Sequence, residues 1–202
     1  MPTLQQQFGP IDIYLFDQLL KGRIAPTMTV LDAGCGTGRN LIYLLREGCR
    51  IFAADASAHA IEELRRLARL LAPSLPETNF RVEAVEQMSF DAEAADVVIS
   101  SAVLHFARDD EQFDSMLREC FRVLKPGGLF FCRLASSIGI ETQVQPVKGR
   151  RHRLPDGSER YLVDEALLAA LTAHYGELAD PLKTTVVQNQ RAMTTWVVRK
   201  GA

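Results

Sequence analysis

The chain is short of the residues that staple or metallate small domains. Its four cysteines, Cys35, Cys49, Cys120 and Cys132, form no CxxC and stand near no paired histidines. A structural zinc or a disulfide framework is therefore not expected, and the thiols are read as free and buried in a reducing cytoplasm. Positive charge is not in excess: 23 Lys and Arg face 25 Asp and Glu, a net charge of −2. Nothing global points to nucleic acid or an anionic membrane as a partner. Long apolar runs are missing too. "ADVVISSAVLHFA" is too short and too polar to cross a bilayer. The opening "MPTLQQQFGP" has no basic stretch leading into an apolar one, so no secretory leader is expected. Repeats and low-complexity segments are absent, and no metal site is expected.

What is present is 202 residues, 47% of them apolar, enough for one domain with a sizeable core. "IDIYLFDQLLKG" has helical spacing and predicts a helix over about 12–21. "MTVLDAG" is a buried strand entering a glycine loop, "RNLIYLLREG" a helix ended by Gly48, and "CRIFAAD" a second strand ending in Asp55. Ser57 caps a helix through about Leu71. "NFRVEAV" and "ADVVISS" are further strands. "DDEQFDSMLRECFRVLKPGG" is an amphipathic helix closed by Lys-Pro-Gly-Gly, and "LFFCRLAS" a fifth strand. Strands that are apolar on both faces and alternate with helices imply a parallel sheet covered on both sides. Such sheets bind ligands beyond the carboxyl ends of their strands, where Asp32, Asp55, Ser100 and Ser136 fall. Beyond 136 the pattern changes. "RRHRLPDGSERYLV" predicts a hairpin around Pro-Asp-Gly, "VDEALLAALTAHYG" a helix, and "LKTTVVQN" with "AMTTWVVRK" a closing strand pair. The expected organisation is a helical cap at 1–28, a ligand-binding core at 29–136, a hairpin insertion at 137–162 and a C-terminal helix and strand pair at 163–202.

The loop "TVLDAGCGTGRN" departs from both phosphate-binding patterns. Gly34-x-Gly36 is followed by Gly38, one place too early for GxGxxG, and Arg39 stands where close helix packing wants a small residue. No GK[ST] ends the loop. Asp32 would repel a pyrophosphate and attract a cation. Asp55, 23 residues on, can accept hydrogen bonds from ribose hydroxyls. A ribose-bearing, cationic ligand without phosphate satisfies all three features, and S-adenosylmethionine is such a ligand.

"VLDAGCGTGRN", the acid in "FAADAS", "ADVVISSAVLHF" and "FRVLKPGGLFF" together resemble class I S-adenosylmethionine-dependent methyltransferases, in order over about 28–136. "GRN" and the Val-Leu before His105 are similar to the small tellurite-resistance-type group. The resemblance implies a Rossmann-like α/β sandwich with a seven-stranded, mostly parallel sheet, one strand antiparallel. It implies cofactor contacts at Asp32, Gly34, Cys35, Gly36, Asn40, Asp55, Ala56, Val85, Glu86, Met88 and Ser100. The family's acid after the third strand is replaced here by Ala84.

Transfer from a sulfonium needs alignment above all, which can supply about 7–11 kcal/mol. A base matters for hydroxyl or amine acceptors. His105, after the fourth strand, and Tyr14, on the first helix, are the candidates for a catalytic role. The basic segment "KGRRHRLPDGSER" reads either as a solvated surface loop or as a lid whose Arg150, Arg151, Arg153 and Arg160, with Tyr161, hold an anionic small-molecule acceptor. Alternation on a hairpin lets only half of these face inward. The competing readings are a nucleic-acid or protein acceptor, and a cofactor-binding protein that transfers nothing.

Overall fold

The computed structural model describes residues 3–202, so the first two residues of the expected cap lie outside it. Thr3 and Gln6 form a capping box that starts a short helix α1 (Leu4–Phe8), which the pattern reading did not anticipate. Asp12 caps α2 (Ile13–Leu20) by accepting from Tyr14 N–H. The core then alternates as expected: β1 (Thr29–Ala33), α3 (Ile42–Arg46), β2 (Arg50–Asp55), α4 (Ala58–Leu71), β3 (Phe80–Val82), β4 (Ala95–Ser101), α5 (Asp110–Val123) and β5 (Leu124–Ser136). Three core boundaries differ. α3 covers only Ile42–Arg46 of the helix expected over "RNLIYLLREG". β3 stops at Val82, and the last residue of the expected strand, Val85, opens a 3₁₀ turn at Val85–Gln87. α5 ends at Val123, and Lys-Pro-Gly-Gly runs extended with a register shift opposite Ala95–Val97. Pro126 lacks the N–H a helix turn needs.

Beyond β5 come β6 (Gln145–Lys148), β7 (Arg151–Arg153), β8 (Glu159–Tyr161), α6 (Glu165–Tyr175), β9 (Gly176–Leu178), β10 (Lys183–Val187) and β11 (Arg191–Lys200). The main sheet has the order β10-β11-β5-β4-β1-β2-β3. β1 to β5 are parallel, and β11 runs antiparallel to β5. The seven expected strands form this line. The short β9, also paired with β11, adds an eighth that the sequence reading had not resolved. The predicted hairpin exists as β7 and β8, and β6 extends it to a separate three-stranded sheet.

Both faces of the main sheet are buried, as the continuous apolar strands require. Leu31, Val98, Phe130 and Trp196 pack toward α5 and α6. Val30, Ile99, Phe131 and Val197 pack toward α2, α3 and α4. The register places Asp32 beside Ala53 and Ile99, and Ser101 beside Arg133. The functional edge is therefore set by the carboxyl ends of β1, β2, β4 and β5.

Candidate functional site

The loop after β1 is pinned to β2. Gly34 and Cys35 N–H groups donate to the Ala54 carbonyl at 2.8 and 3.1 Å. Gly36 N–H donates to Asp55 Oδ2 at 2.8 Å, and Ser57 N–H to Oδ1 at 2.9 Å. Gly34 and Gly36 are both left-handed, with φ of +81° and +54°, a conformation in which side chains are disfavoured. Their surroundings differ. A Cβ on Gly34 would lie 2.6 Å from Val103 Cγ1, whereas one on Gly36 meets nothing within 4 Å. The open side of Gly36 faces a cavity of about 420 Å³ whose walls include Asn40, Asp55, Ser101 and Phe106.

Asp32, next to last in β1, is 1% exposed, and its Oδ2 has no hydrogen-bond partner. Burial pushes its carboxyl up to about 7; Arg39 opposes the rise and Asp55 adds to it. An unmet buried carboxylate oxygen calls for a cationic N–H donor. Asp55 uses one acceptor position on each oxygen, and a carboxylate has about four, so hydroxyl donors can still be taken. These residues suit S-adenosylmethionine: a buried acid for an ammonium, an open glycine for close approach, and a second acid for a ribose.

Asp12 was not anticipated and ties this site together. Its N–H donates to Asn40 Oδ1 at 3.0 Å. Its Oδ2 accepts from Arg133 at 3.2 Å and from Ser101 Oγ at 3.4 Å. Arg39 in turn donates to Ser101 Oγ at 3.1 Å. The expected helix began at Asp12, but neither its capping role nor the reach of its second oxygen across the sheet was anticipated.

Of the expected cofactor residues, Asp32 lies within β1, below the loop and outside the cavity wall, while Gly34, Cys35, Gly36, Asn40 and Asp55 line the cavity. The Cys35 thiol is pushed up by burial and by Asp32 and Asp55, and donates to the Gly36 carbonyl at 3.4 Å; it fills space. Ser100 is displaced by its neighbour: successive strand residues face opposite ways, so Ser101 lines the cavity and Ser100 points into the core with an unpaired hydroxyl. Val85 and Met88 pack into the core, and Glu86 accepts from Gln112 at 2.6 Å. The 3₁₀ turn that replaces the end of β3 carries Val85 and Glu86, and none of the three residues lines the cavity. Ala56 is exposed beyond the Asp55 end and is not in its wall.

A second cavity, of about 270 Å³, opens between β5, β10, β11 and the hairpin. It shares Ala102 with the first. Ala102 follows β4 in a left-handed conformation (φ +64°), with its N–H donating to the Arg133 carbonyl at 2.7 Å. That costs an alanine about 1 kcal/mol, and here it turns the chain so that the next residues wall both spaces. His105, 5% exposed, lines the second cavity, but not as a ready base. Ala135 N–H donates to its Nδ1 at 3.1 Å. The bond assigns the proton to Nε2. Burial, helped by Arg160, lowers its pKa to about 4. His105 is thus a neutral Nε2–H donor at neutral pH. Tyr14 lines neither cavity; its hydroxyl is 2.7 Å from Thr185 Oγ1 and its ring lies beneath the Arg133 guanidinium.

The hairpin does wall the second cavity, through Leu154, Asp156, Ser158 and Arg160. The other expected residues point away. Arg151 pairs with Tyr161 and Arg153 with Glu159, while His152 and Arg160 share the opposite face. Arg151 donates to the Ala107 carbonyl, Arg153 pairs with Glu159, and Arg150 pairs with Asp164, the cap of α6. Tyr161 is stacked on Phe113 at 4.4 Å and its hydroxyl is raised by burial. Arg133 and Arg191 enter the wall from β5 and β11; no local motif distinguished them.

Sheet order, glycine loop and the two acids define a class I S-adenosylmethionine-binding α/β domain. The comparisons agree: the family described as "Methyltransferase domain" matches residues 31–132. The chain belongs to that family, the class I S-adenosylmethionine-dependent methyltransferases, whose cofactor is S-adenosylmethionine. The ubiquinone biosynthesis O-methyltransferase of Methylocella silvestris is 34% identical over 117 residues, 56% of this chain and 43% of that protein. The chain thus spans less than half the length of that relative. A methyltransferase structure from Methanosarcina mazei superimposes with TM-score 0.72 at 20% identity, covering 91% of this chain and 97% of the other. The Burkholderia thailandensis 1,6-didemethyltoxoflavin-N1-methyltransferase, solved with its acceptor and S-adenosylhomocysteine, gives TM-score 0.71 at 20% identity, covering 96% and 80%. Among the described residues no helix is long and apolar enough to cross a membrane, and no cluster of ligating side chains could hold a metal.

Proposed function

We propose that this chain transfers the methyl group of S-adenosylmethionine to a small-molecule acceptor held beneath the hairpin at 137–162. The observation that carries the reading is the shared wall at Ala102: the glycine-loop cavity and the hairpin cavity are neighbours across one residue. In this reading Asp32 takes the ammonium of the cofactor, Gly36 lets its methionine part approach the backbone, and Asp55 holds the ribose. The cofactor supplies a methyl group already activated on a positively charged sulfur. The protein supplies orientation, worth up to about 7–11 kcal/mol. Ala102 and Val103 fix the partition between the two spaces, and His105 offers Nε2–H to the acceptor. With Nδ1 engaged and its pKa low, His105 acts by binding and orienting rather than by removing a proton.

The test measures S-adenosylhomocysteine release from methyl-labelled cofactor with small-molecule, peptide and RNA acceptors. Turnover is expected with small molecules. Asp55→Ala should weaken cofactor affinity about 10–100-fold, since ribose hydroxyls lose a charged acceptor. Turnover confined to peptide or RNA would sink the acceptor class. Undiminished affinity in Asp55→Ala would sink the assigned cofactor seat.

A further inference from the structure

Three arginines from three separate elements converge on the hairpin cavity: Arg133 on β5, Arg160 on β8 and Arg191 on β11. Arg133 is paired with Asp12 at 3.2 Å, yet its buried Nε has no partner. Among the described residues Arg160 and Arg191 make no ion pair. Arg160 lies over the Phe106 ring at 4.9 Å and gives one N–H to the Glu159 carbonyl at 2.7 Å, which leaves most of its donors unused. The carboxylate in the wall, Asp156, interacts with both Arg160 and Arg191 and offsets part of their charge, leaving the three arginines in excess. Ser158 N–H and Oγ both donate to its Oδ1, at 2.9 and 2.6 Å. His105 adds a neutral Nε2–H, fixed by Ala135. The cavity therefore presents several directed donors and surplus positive charge to whatever enters. Arginine forks match planar oxyanions, and Phe106 holds the Arg160 fork in one orientation.

Resting on the acceptor reading above, we propose that Arg160 and Arg191 form an oxyanion subsite that recognises a carboxylate or comparable oxoanion on the methyl acceptor. Arg133 supplies a third cationic wall and His105 a neutral donor. The anionic group is the handle by which the acceptor is held; its position beyond Ala102 orients the rest of the molecule toward the glycine-loop cavity.

The experiment uses the full chain. S-adenosylhomocysteine is titrated first by calorimetry. The saturated protein is then titrated with benzoate, with its neutral isostere benzamide, and with inorganic phosphate. Benzoate is expected to bind where benzamide does not. Arg160→Gln and Arg191→Gln should each weaken benzoate about tenfold or more, leaving S-adenosylhomocysteine affinity and melting temperature unchanged. Arg160→Lys should recover only part of the loss, because it restores charge without the fork. Phosphate binding that shows the same arginine dependence supports the subsite and identifies an inorganic-type oxoanion as its occupant. Equal binding of benzoate and benzamide, no anion binding, or anion binding unchanged in both Gln variants overturns the subsite. Failure of the first titration would instead overturn the cofactor reading, so the two results are separable.

Discussion

His105 Nδ1 accepts a hydrogen bond from the backbone N–H of Ala135 at 3.1 Å, which joins the turn after β4 to the carboxyl end of β5. This contact decides what the histidine can do. A ring with Nδ1 occupied and a pKa near 4 is uncharged over most of the range in which an enzyme works.

A stability prediction follows from its sign. The folded pKa lies below the ordinary 6.5, so the unfolded chain binds a proton that the native chain refuses. Stability should be unaffected by this group above about pH 6.5 and fall by roughly 3 kcal/mol between pH 6.5 and 4. Urea unfolding across that range should show the slope in the native chain and lose it in His105→Gln. An equal slope in both would assign the acid sensitivity elsewhere.

Asp32 titrates in the opposite sense. Its carboxyl is raised to about 7 by burial, so the apo protein holds it roughly half protonated at neutral pH. A bound ammonium favours the ionised form, so binding should release a proton. Cofactor affinity should rise about tenfold from pH 6 to pH 8. Calorimetry at pH 7 in buffers of different ionisation enthalpy checks the proton count. Affinity independent of pH would mean that no cation sits against Asp32.

Gly34 and Gly36 separate folding from binding. Gly34→Ala drives a Cβ into Val103 and should cost about 2 kcal/mol or more through overpacking and left-handed strain. Gly36→Ala meets open space and should cost only about 1 kcal/mol of stability. It should nevertheless abolish measurable cofactor binding, because the methyl occupies the surface the ligand needs. Denaturant midpoints beside cofactor titrations distinguish the two; normal binding in Gly36→Ala would remove Gly36 from the seat.

Asp180 anchors the cap. It accepts from Lys183 at 2.6 Å, Lys21 at 2.7 Å and Gln18 at 3.3 Å, tying α2 to the strand pair at the sheet edge. Burial alone would raise its carboxyl, but these donors outweigh it and hold the group well below the usual carboxylate range. Its contribution is complete above about pH 4 and lost as pH falls further. Asp180→Asn should therefore destabilise the chain by about 1–3 kcal/mol at pH 7, with a difference that shrinks steadily as pH falls from about 4 toward about 2 without vanishing there. A constant difference across pH would point to packing rather than charge.

The sequence by itself determined the parallel core, the glycine loop and the two strand-end acids. Those features are local: apolar runs specify buried strands, and left-handed backbone at Gly34 and Gly36 demands glycine. The Pro-Asp-Gly turn likewise announced its hairpin. Only the tertiary structure decided which hairpin face looks inward. All of its arginines are alike in sequence, and the pairing of His152 with Arg160 selects Arg160 and turns Arg151, Arg153 and Tyr161 away. One residue of phase likewise exchanged Ser100 for Ser101. Asp12, Arg133 and Arg191 are far apart in the chain, and strand pairing brings them to the two cavities. The proton position on His105 depends on the backbone of Ala135, thirty residues away. Periodicity and turn chemistry act within a few residues, whereas side-chain direction and long-range pairing are settled only when the sheet closes.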